Sequence, residues 1–209
     1  MLYKETIEPN TLELLKKLQN SEMLKGFYLA GGTSLALQIG HRISIDLDLF
    51  TQNDFDTNEM LEFLESTFQF KLIYSSINTL KGSIGQINLD VIAHKYPLIN
   101  NPINIEGISL LSINDISAMK LNAITGNETR SKDYIDIYFI LKKYSLIEIL
   151  NFYSIKYDSR NQLHVLKSLA YFEDISENDW PNMILEKNLT LSQIKKLITV
   201  CISEANSSI

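Results

Sequence analysis

The chain has 209 residues, 45% of them apolar and 10% aromatic, which is enough to bury the core of one domain or of a domain with a closely packed second lobe. With 21% charged residues and only 8 Gly and 4 Pro, it is not collagen-like, low-complexity or broadly disordered. The 19 basic and 25 acidic side chains give a formal net charge of −6, which argues against wholesale electrostatic binding to nucleic acid, so any polyanion must be met by a local patch. The single cysteine, Cys201, permits neither an internal disulfide nor a cysteine zinc site, and it reads as one buried thiol in a reducing compartment. The N-terminal MLYKETIEPNTLELL lacks the basic and apolar regions of a signal peptide, and no stretch reaches the roughly 20 apolar residues of a membrane span. A cytoplasmic protein without a membrane partner is expected.

In chain order, Thr11 to Gln19 repeats apolar residues at helical spacing, and Gly26 precedes a short apolar strand over Phe27 to Ala30. A Gly-rich turn leads into a compact helix from Thr33 to Ile39 that Gly40 stops. Ile43 to Phe50, ISIDLDLF, alternates as a strand. Asp56 with Glu59 caps a helix running to Phe68. Two strands, Phe70 to Asn78 and Ile84 to Ala93, flank a predicted turn at Lys81, Gly82 and Ser83. The texture changes near Asn100, and beyond it nearly everything reads as helix. Ser112 with Asp115 opens a helix to about Thr125, with Gly126 as its stop. Ser131 caps another through Lys143. Ser145 with Glu148 and Thr190 with Gln193 repeat the capping device, with Ser159 to Ala170 helical between them. The expected fold class is α+β: a small mixed-sheet lobe over residues 1–100 followed by a helical lobe over 101–209.

Candidate chemistry begins on the strand Ile43 to Phe50. Alternation sends Ile43, Ile45, Leu47 and Leu49 to the core and Ser44, Asp46 and Asp48 to the opposite face. Two like charges that close repel one another unless a cation sits between them. Ile87 to Val91 repeats the pattern and adds Asp90 beside Asn88. Three hard oxygen ligands suit Mg²⁺ or Mn²⁺, although a solvated sheet face would also place acids in this way. Upstream, Ala30-Gly31-Gly32-Thr33 lies between a strand and a helix, where a backbone without Cβ and a helix N-terminus can meet a phosphate; a plain tight turn is the alternative. Neither a P-loop nor a dinucleotide-fold glycine pattern is present.

In the second half, Lys120 sits among Ala118, Met119 and Leu121, where a lysine either snorkels to solvent or reaches an anion. Lys132, Asp133 and Asp136 open the next helix, and acids there serve the helix dipole as readily as a ligand. His41 and Arg42 precede the acidic strand, and Arg42 suits either a salt bridge or a phosphate contact. His94 and His164 show no metal-ligand spacing, and Trp180, Tyr134, Tyr138 and Phe139 read as core.

YLAGGTSLALQIGHRISIDLDLF, Tyr28 to Phe50, resembles the first motif of the AbiEii/AbiGii toxin family of nucleotidyltransferases, within the DNA polymerase β-like superfamily. NDISAMKLNAI (Asn114 to Ile124) resembles that family's lysine helix, SKDYIDIYFIL (Ser131 to Leu141) its Lys-Asp-x-x-Asp helix, and HVLKSLAYFEDISEND (His164 to Asp179) a late segment of the family. The resemblance implies a nucleotidyltransferase lobe and a helical lobe completing a cleft, and an NTP-dependent toxin of a bacterial toxin–antitoxin or abortive-infection pair. It implies Gly31, Gly32 and Thr33 as the phosphate turn, with Thr33 in place of the superfamily's Ser. Asp46, Asp48 and Asp90 are implied as metal-binding and catalytic, Asp90 resting on its strand pattern more than on a sharp motif. Lys120 and Asp133 join them as catalytic candidates, and Lys120, Lys132 and Asp136 as nucleotide-binding candidates. The implied cofactor is Mg²⁺ or Mn²⁺, with a nucleoside triphosphate as substrate, a tRNA 3′ end as acceptor and a cognate antitoxin as partner. Residues from Lys120 to Lys167 include 8 basic and 5 acidic side chains, a stretch that either faces RNA or is a solvated helix surface. Two alternatives stay open: an NTP-binding module acting through a protein partner, and transfer to a protein or small-molecule acceptor.

Overall fold

A computed structural model describes residues 1–126, 131–159, 161–173 and 175–206. The chain divides into two units, one formed by Met1–Tyr96 with Asn101–Leu111 and the other by Pro97–Asn100 with Ser112–Ile209.

In the first unit Pro9 opens helix α1 (Pro9–Gln19), where its missing N–H costs nothing. β1 (Tyr28–Leu29) leads at once into α2 (Gly31–Ile39), which Gly40 ends in the left-handed conformation, its N–H donating to the Ala36 carbonyl at 2.8 Å. Then follow β2 (Leu47–Thr51) and α3 (Thr57–Phe68), whose first turn is capped by the Asp56 carboxylate accepting from the Asn58 and Glu59 N–H groups. β3 (Lys71–Ser76), β4 (Thr79–Ile84) and β5 (Ile87–Ala93) form a meander, and β6 (Ile103–Ile105) with β7 (Ile108–Leu110) forms a hairpin. The seven strands make one mixed sheet in the order β3-β4-β5-β2-β1-β7-β6, with β2 parallel to β5 and β1 parallel to β7.

One face of this sheet is closed. Leu47, Leu49, Leu80, Leu89 and Val91 are fully buried in a cluster with Leu15 and Leu18 of α1 and Met60 and Leu64 of α3. Truncating any one of these leucines to Ala would cost about 2–5 kcal/mol. On the other face the alternate residues Asp48, Phe50, Asn88, Asp90, Lys81 and Ser83 stay exposed or half-buried.

Three expectations differ from this. β2 starts at Leu47, so the predicted strand over Ile43–Asp46 is not formed; Ser44 is buried and Ile45 is 47% exposed, the reverse of the predicted phase. The cause is polar: Ser44 donates its N–H to the Thr6 carbonyl, and its hydroxyl lies 2.8 Å from Thr33 Oγ1. The predicted turn at Lys81-Gly82-Ser83 lies inside β4, and the reversals fall at Ile77-Asn78 and Gly85-Gln86. Gly82 is there because the Lys71 carbonyl and the Phe70 ring occupy the space its Cβ would need. The residues after Asn100 are not all helical, because β6 and β7 turn about Glu106 and Gly107, both at positive φ.

The second unit is helical: α4 (Ile113–Thr125), α5 (Ser131–Ile140), α6 (Leu146–Tyr157), α7 (Gln162–Leu169) and α8 (Leu191–Asn206). Ser112 caps α4 by accepting from the Asp115 N–H, and Ser145 with Glu148 closes a full capping box on α6. α4 packs on α5, α6 and α7. The unit is pinned by Asp115, which is fully buried. Its carboxylate accepts from the Ile99 N–H (3.0 Å), the Asn100 N–H (3.2 Å), the Ser112 hydroxyl (2.6 Å) and Lys156 Nζ (2.8 Å). Among the described residues no helix is long and apolar enough to cross a membrane.

Candidate active site

The Ala30-Gly31-Gly32-Thr33 turn joins β1 to α2 because the Ala30 N–H donates to the Asp48 carbonyl at 2.8 Å, drawing the start of the helix against β2. Gly31 has φ +64°, and a Cβ there would overlap Asp48 Oδ2 and come within 2.9 Å of Asp48 Cγ. A Cβ on Gly32 would overlap a guanidinium nitrogen of Arg42, with Arg42 Cζ at 3.3 Å. The two glycines therefore let one carboxylate and one guanidinium lie directly on the turn. The amide groups of this first helical turn have no intrahelical acceptor by construction and carry the positive end of the helix dipole. Arg42 is 2% exposed and donates to the Ile43 carbonyl at 3.1 Å.

Thr33 behaves differently from the sequence expectation of a hydroxyl aimed at phosphate. It is buried, and Oγ1 donates to the Asp46 carbonyl and lies 2.8 Å from Ser44 Oγ. The side chain thus ties α2 to the segment entering β2, while the Thr33 N–H remains in the first turn of the helix.

Asp48 and Asp90 are direct register partners on the parallel strands β2 and β5, about 5 Å apart in strand spacing, with both side chains on the open face. Asp46 precedes β2, and its Oδ1 accepts from Asn88 Nδ2 at 2.9 Å. Asp90 Oδ2 lies 3.1 Å from Lys81 Nζ, whose residue is the register partner of Asp90 on β4. Among the described residues no three His, Cys, Asp or Glu side chains gather into a metal cage. The donor chemistry nonetheless fits a hard divalent cation, since Asp48 and Asp90 are directly opposed hard oxygen donors and Asp46, just before β2, reaches Asn88 on the same face. Lys81 was missed as part of this neighbourhood because Gly82 beside it made the segment read as a turn; the alternation of Leu80 with Lys81 was the available signal.

The other sequence candidates lie in the second unit. Lys120 Nζ stands 2.7 Å from Asp133 Oδ1 and 2.6 Å from Asp136 Oδ2, and all three residues are buried. Asp133 and Asp136, three apart on α5, present both carboxylates to one ammonium, so this lysine does not snorkel to solvent. Lys132, the neighbouring candidate, is half-buried. Of the basic stretch from Lys120 to Lys167, Lys120 and Lys156 are buried in ion pairs, and Arg130 and Arg160 lie outside the described residues, as does Asp174 in the late segment. His94 packs its ring between Phe50 and Tyr96, at 5.5 and 4.7 Å between centroids.

The chain matches the model of the family described as nucleotidyl transferase AbiEii toxin, type IV toxin–antitoxin system, over residues 13–192. It is 33% identical over 171 residues to the uncharacterized protein aq_aa25 of Aquifex aeolicus, covering 79% of this chain and 82% of that one. Among solved structures it resembles a Helicobacter pylori protein described as a candidate nucleotidyltransferase (TM-score 0.57, 17% identity, covering 97% and 99% of the two chains). It also resembles MenT4, the nucleotidyltransferase toxin Rv2826c of Mycobacterium tuberculosis (TM-score 0.56, 14% identity, covering 94% of this chain and 85% of that one).

Proposed function

The chain belongs to the AbiEii family of nucleotidyltransferase toxins of type IV toxin–antitoxin systems, and on that premise we propose that it transfers a nucleotide from an NTP to the 3′ end of a tRNA. The observation that carries this reading is the direct opposition of Asp48 and Asp90 on the open sheet face, with the Gly31 backbone against Asp48. Bond by bond, the acceptor hydroxyl oxygen bonds to the α-phosphorus, the bond from that phosphorus to the α,β-bridging oxygen breaks, and pyrophosphate leaves.

The first-turn amides at Gly31 to Thr33 and the Arg42 guanidinium bind the triphosphate, because these are the donors beside the acids. Thr33 holds the Asp46 segment in place from within. Asp46, Asp48 and Asp90 would hold Mg²⁺ or Mn²⁺, which when bound neutralises charge on the attacking and leaving oxygens. Asp90, at the outer end of the acid set, takes the position from which a carboxylate accepts the proton of the incoming hydroxyl. Within the helical unit, Lys120, Asp133 and Asp136 form a buried ion-pair cluster, and with Lys132 they are that unit's candidates for nucleotide binding, as the family resemblance implies. In the cell the toxin answers to an antitoxin and acts in the cytoplasm against an RNA needed for translation.

The test is incubation with each radiolabelled NTP, Mg²⁺ and separated RNA and protein extracts. Label in tRNA-sized RNA supports the proposal. Label only in protein moves the acceptor to the protein class, and NTP binding without any transfer supports a binding module.

A further inference from the structure

The open face of the sheet continues past Asp90 to the free edge at β3. Antiparallel register partners share a face, so Lys81, opposite Asp90, is followed by Tyr74, opposite Lys81; one row therefore reads Asp48, Asp90, Lys81, Tyr74 across β2, β5, β4 and β3, and a register shift between Leu72 and Tyr74 is what sets Lys71, three residues away, in register on the same face. In the next row, Lys71 stands opposite Ser83, and Ser83 opposite Asn88. On the other side, Ser76 stands opposite Thr79. The neighbours of Tyr74 are thus small hydroxyl side chains, while Asn88 and Ile92 flank Asp90 and the Lys81 ammonium lies toward Asp90. Tyr74 is 53% exposed, Lys71 is exposed, and the Lys81 side chain is 48% exposed. Two strand spacings, about 10 Å, separate Tyr74 from Asp90.

We propose that Tyr74, Lys71 and Lys81 form the acceptor platform: Tyr74 stacks on a base near the 3′ end of a single-stranded RNA, and Lys71 and Lys81 contact its phosphates, delivering the terminal hydroxyl to Asp90. The inference rests on the nucleic-acid acceptor reading above. Its chemistry is that of single-strand binders, an aromatic face for any base flanked by cations for the backbone. It also brings two ammonium groups, Lys71 and Lys81, to the same face as the reacting acids of a chain of net charge −6. The Lys81–Asp90 pair fits this role, since an incoming phosphate offers Lys81 a second anion as Asp90 turns to the reaction.

The experiment measures fluorescence anisotropy of a labelled single-stranded oligoribonucleotide of about 12 nucleotides, without NTP or metal, at low salt. Tyr74→Ala should weaken binding about tenfold and Tyr74→Phe should not, because the stacking face survives. Lys71→Ala combined with Lys81→Ala should flatten the dependence of log affinity on log salt by about 1.4, the value for two phosphate contacts on a single strand. NTP-induced thermal stabilisation should be unchanged in Tyr74→Ala and Lys71→Ala, which also shows that these exposed-site variants are folded. If the unaltered protein binds RNA and all these variants bind it equally well, the platform is wrong and the RNA reading stands. If the unaltered protein neither binds RNA nor transfers to it, both fall.

Discussion

Gly31→Ala tests whether the position of Asp48 governs the chemistry. At φ +64° an L-residue is strained by about 1–2 kcal/mol, and the new Cβ would overlap Asp48 Oδ2, with Asp48 Cγ only 2.9 Å away. Asp48 Cβ, at 3.4 Å, can stay where it is, so the conflict is relieved by rotating the carboxylate off its rotamer at about 0.5–1.5 kcal/mol. The combined cost of about 2–3 kcal/mol should lower Tm by roughly 4–12 °C and leave the protein folded. Activity should suffer more than stability, since displacing a reacting group by about 1 Å costs on the order of a hundredfold. Gly26→Ala is the control: at φ +79° it meets the same backbone strain, with nothing within 4 Å of the added Cβ. It should lose a similar backbone increment in Tm and keep its kcat. Nucleotide incorporation and a thermal melt on the two variants side by side decide the matter. Gly31→Ala with the kcat of Gly26→Ala would refute the reasoning.

Asp115→Ala should destabilise the helical unit by about 3–5 kcal/mol, read by chemical denaturation, because it strands the buried Lys156 ammonium. Adding Lys156→Met should recover only part of this, since the Ile99 and Asn100 N–H groups still lack their acceptor. Lys120→Met should lower Tm even without nucleotide, as Asp133 and Asp136 then face each other buried; an unchanged Tm would contradict the buried triad. For Glu186, burial raises the carboxyl pKa, but hydrogen bonds from Lys142 and Tyr138 outweigh it and hold it below the ordinary 4.5. That contribution is present above the unfolded Glu value and lost as pH falls through the folded one, so Glu186→Gln should flatten stability against pH on the acid side, modestly because the pair is 39% exposed. Cys201, its thiol pKa raised by burial and then by Glu204, should react slowly with iodoacetamide at neutral pH.

Capping residues were legible because the device is local: Asp56, Ser112, Ser145 and Thr190 each sit three residues from the group they pair with. The alternation from Leu47 to Phe50 was legible for the same reason, and it set Asp48 on the open face. It failed at Ser44 and Ile45 because Thr33, eleven residues upstream, pulls Ser44 inward, a contact that no period records. Gly82 reads as a turn until the Lys71 carbonyl pressing on it is known. The β6–β7 hairpin was readable in the alternating isoleucines around Glu106 and Gly107, but the helical texture that follows masked it. Hidden from any local reading was Lys156, whose partner Asp115 lies 41 residues away. Within the site, the alternation placed Asp48 and Asp90 on one sheet face; it did not show that Asp46 lies before β2, that Asp90 faces Lys81 or that Thr33 turns inward.

The most direct measurement is incorporation of labelled nucleotide into purified tRNA by the unaltered protein and by Asp48→Asn, with Mg²⁺ and each NTP in turn. The account predicts label at the 3′ end with the unaltered protein and none above background with Asp48→Asn, whose cooperative thermal melt shows that it is folded. Equal incorporation by both proteins would contradict it.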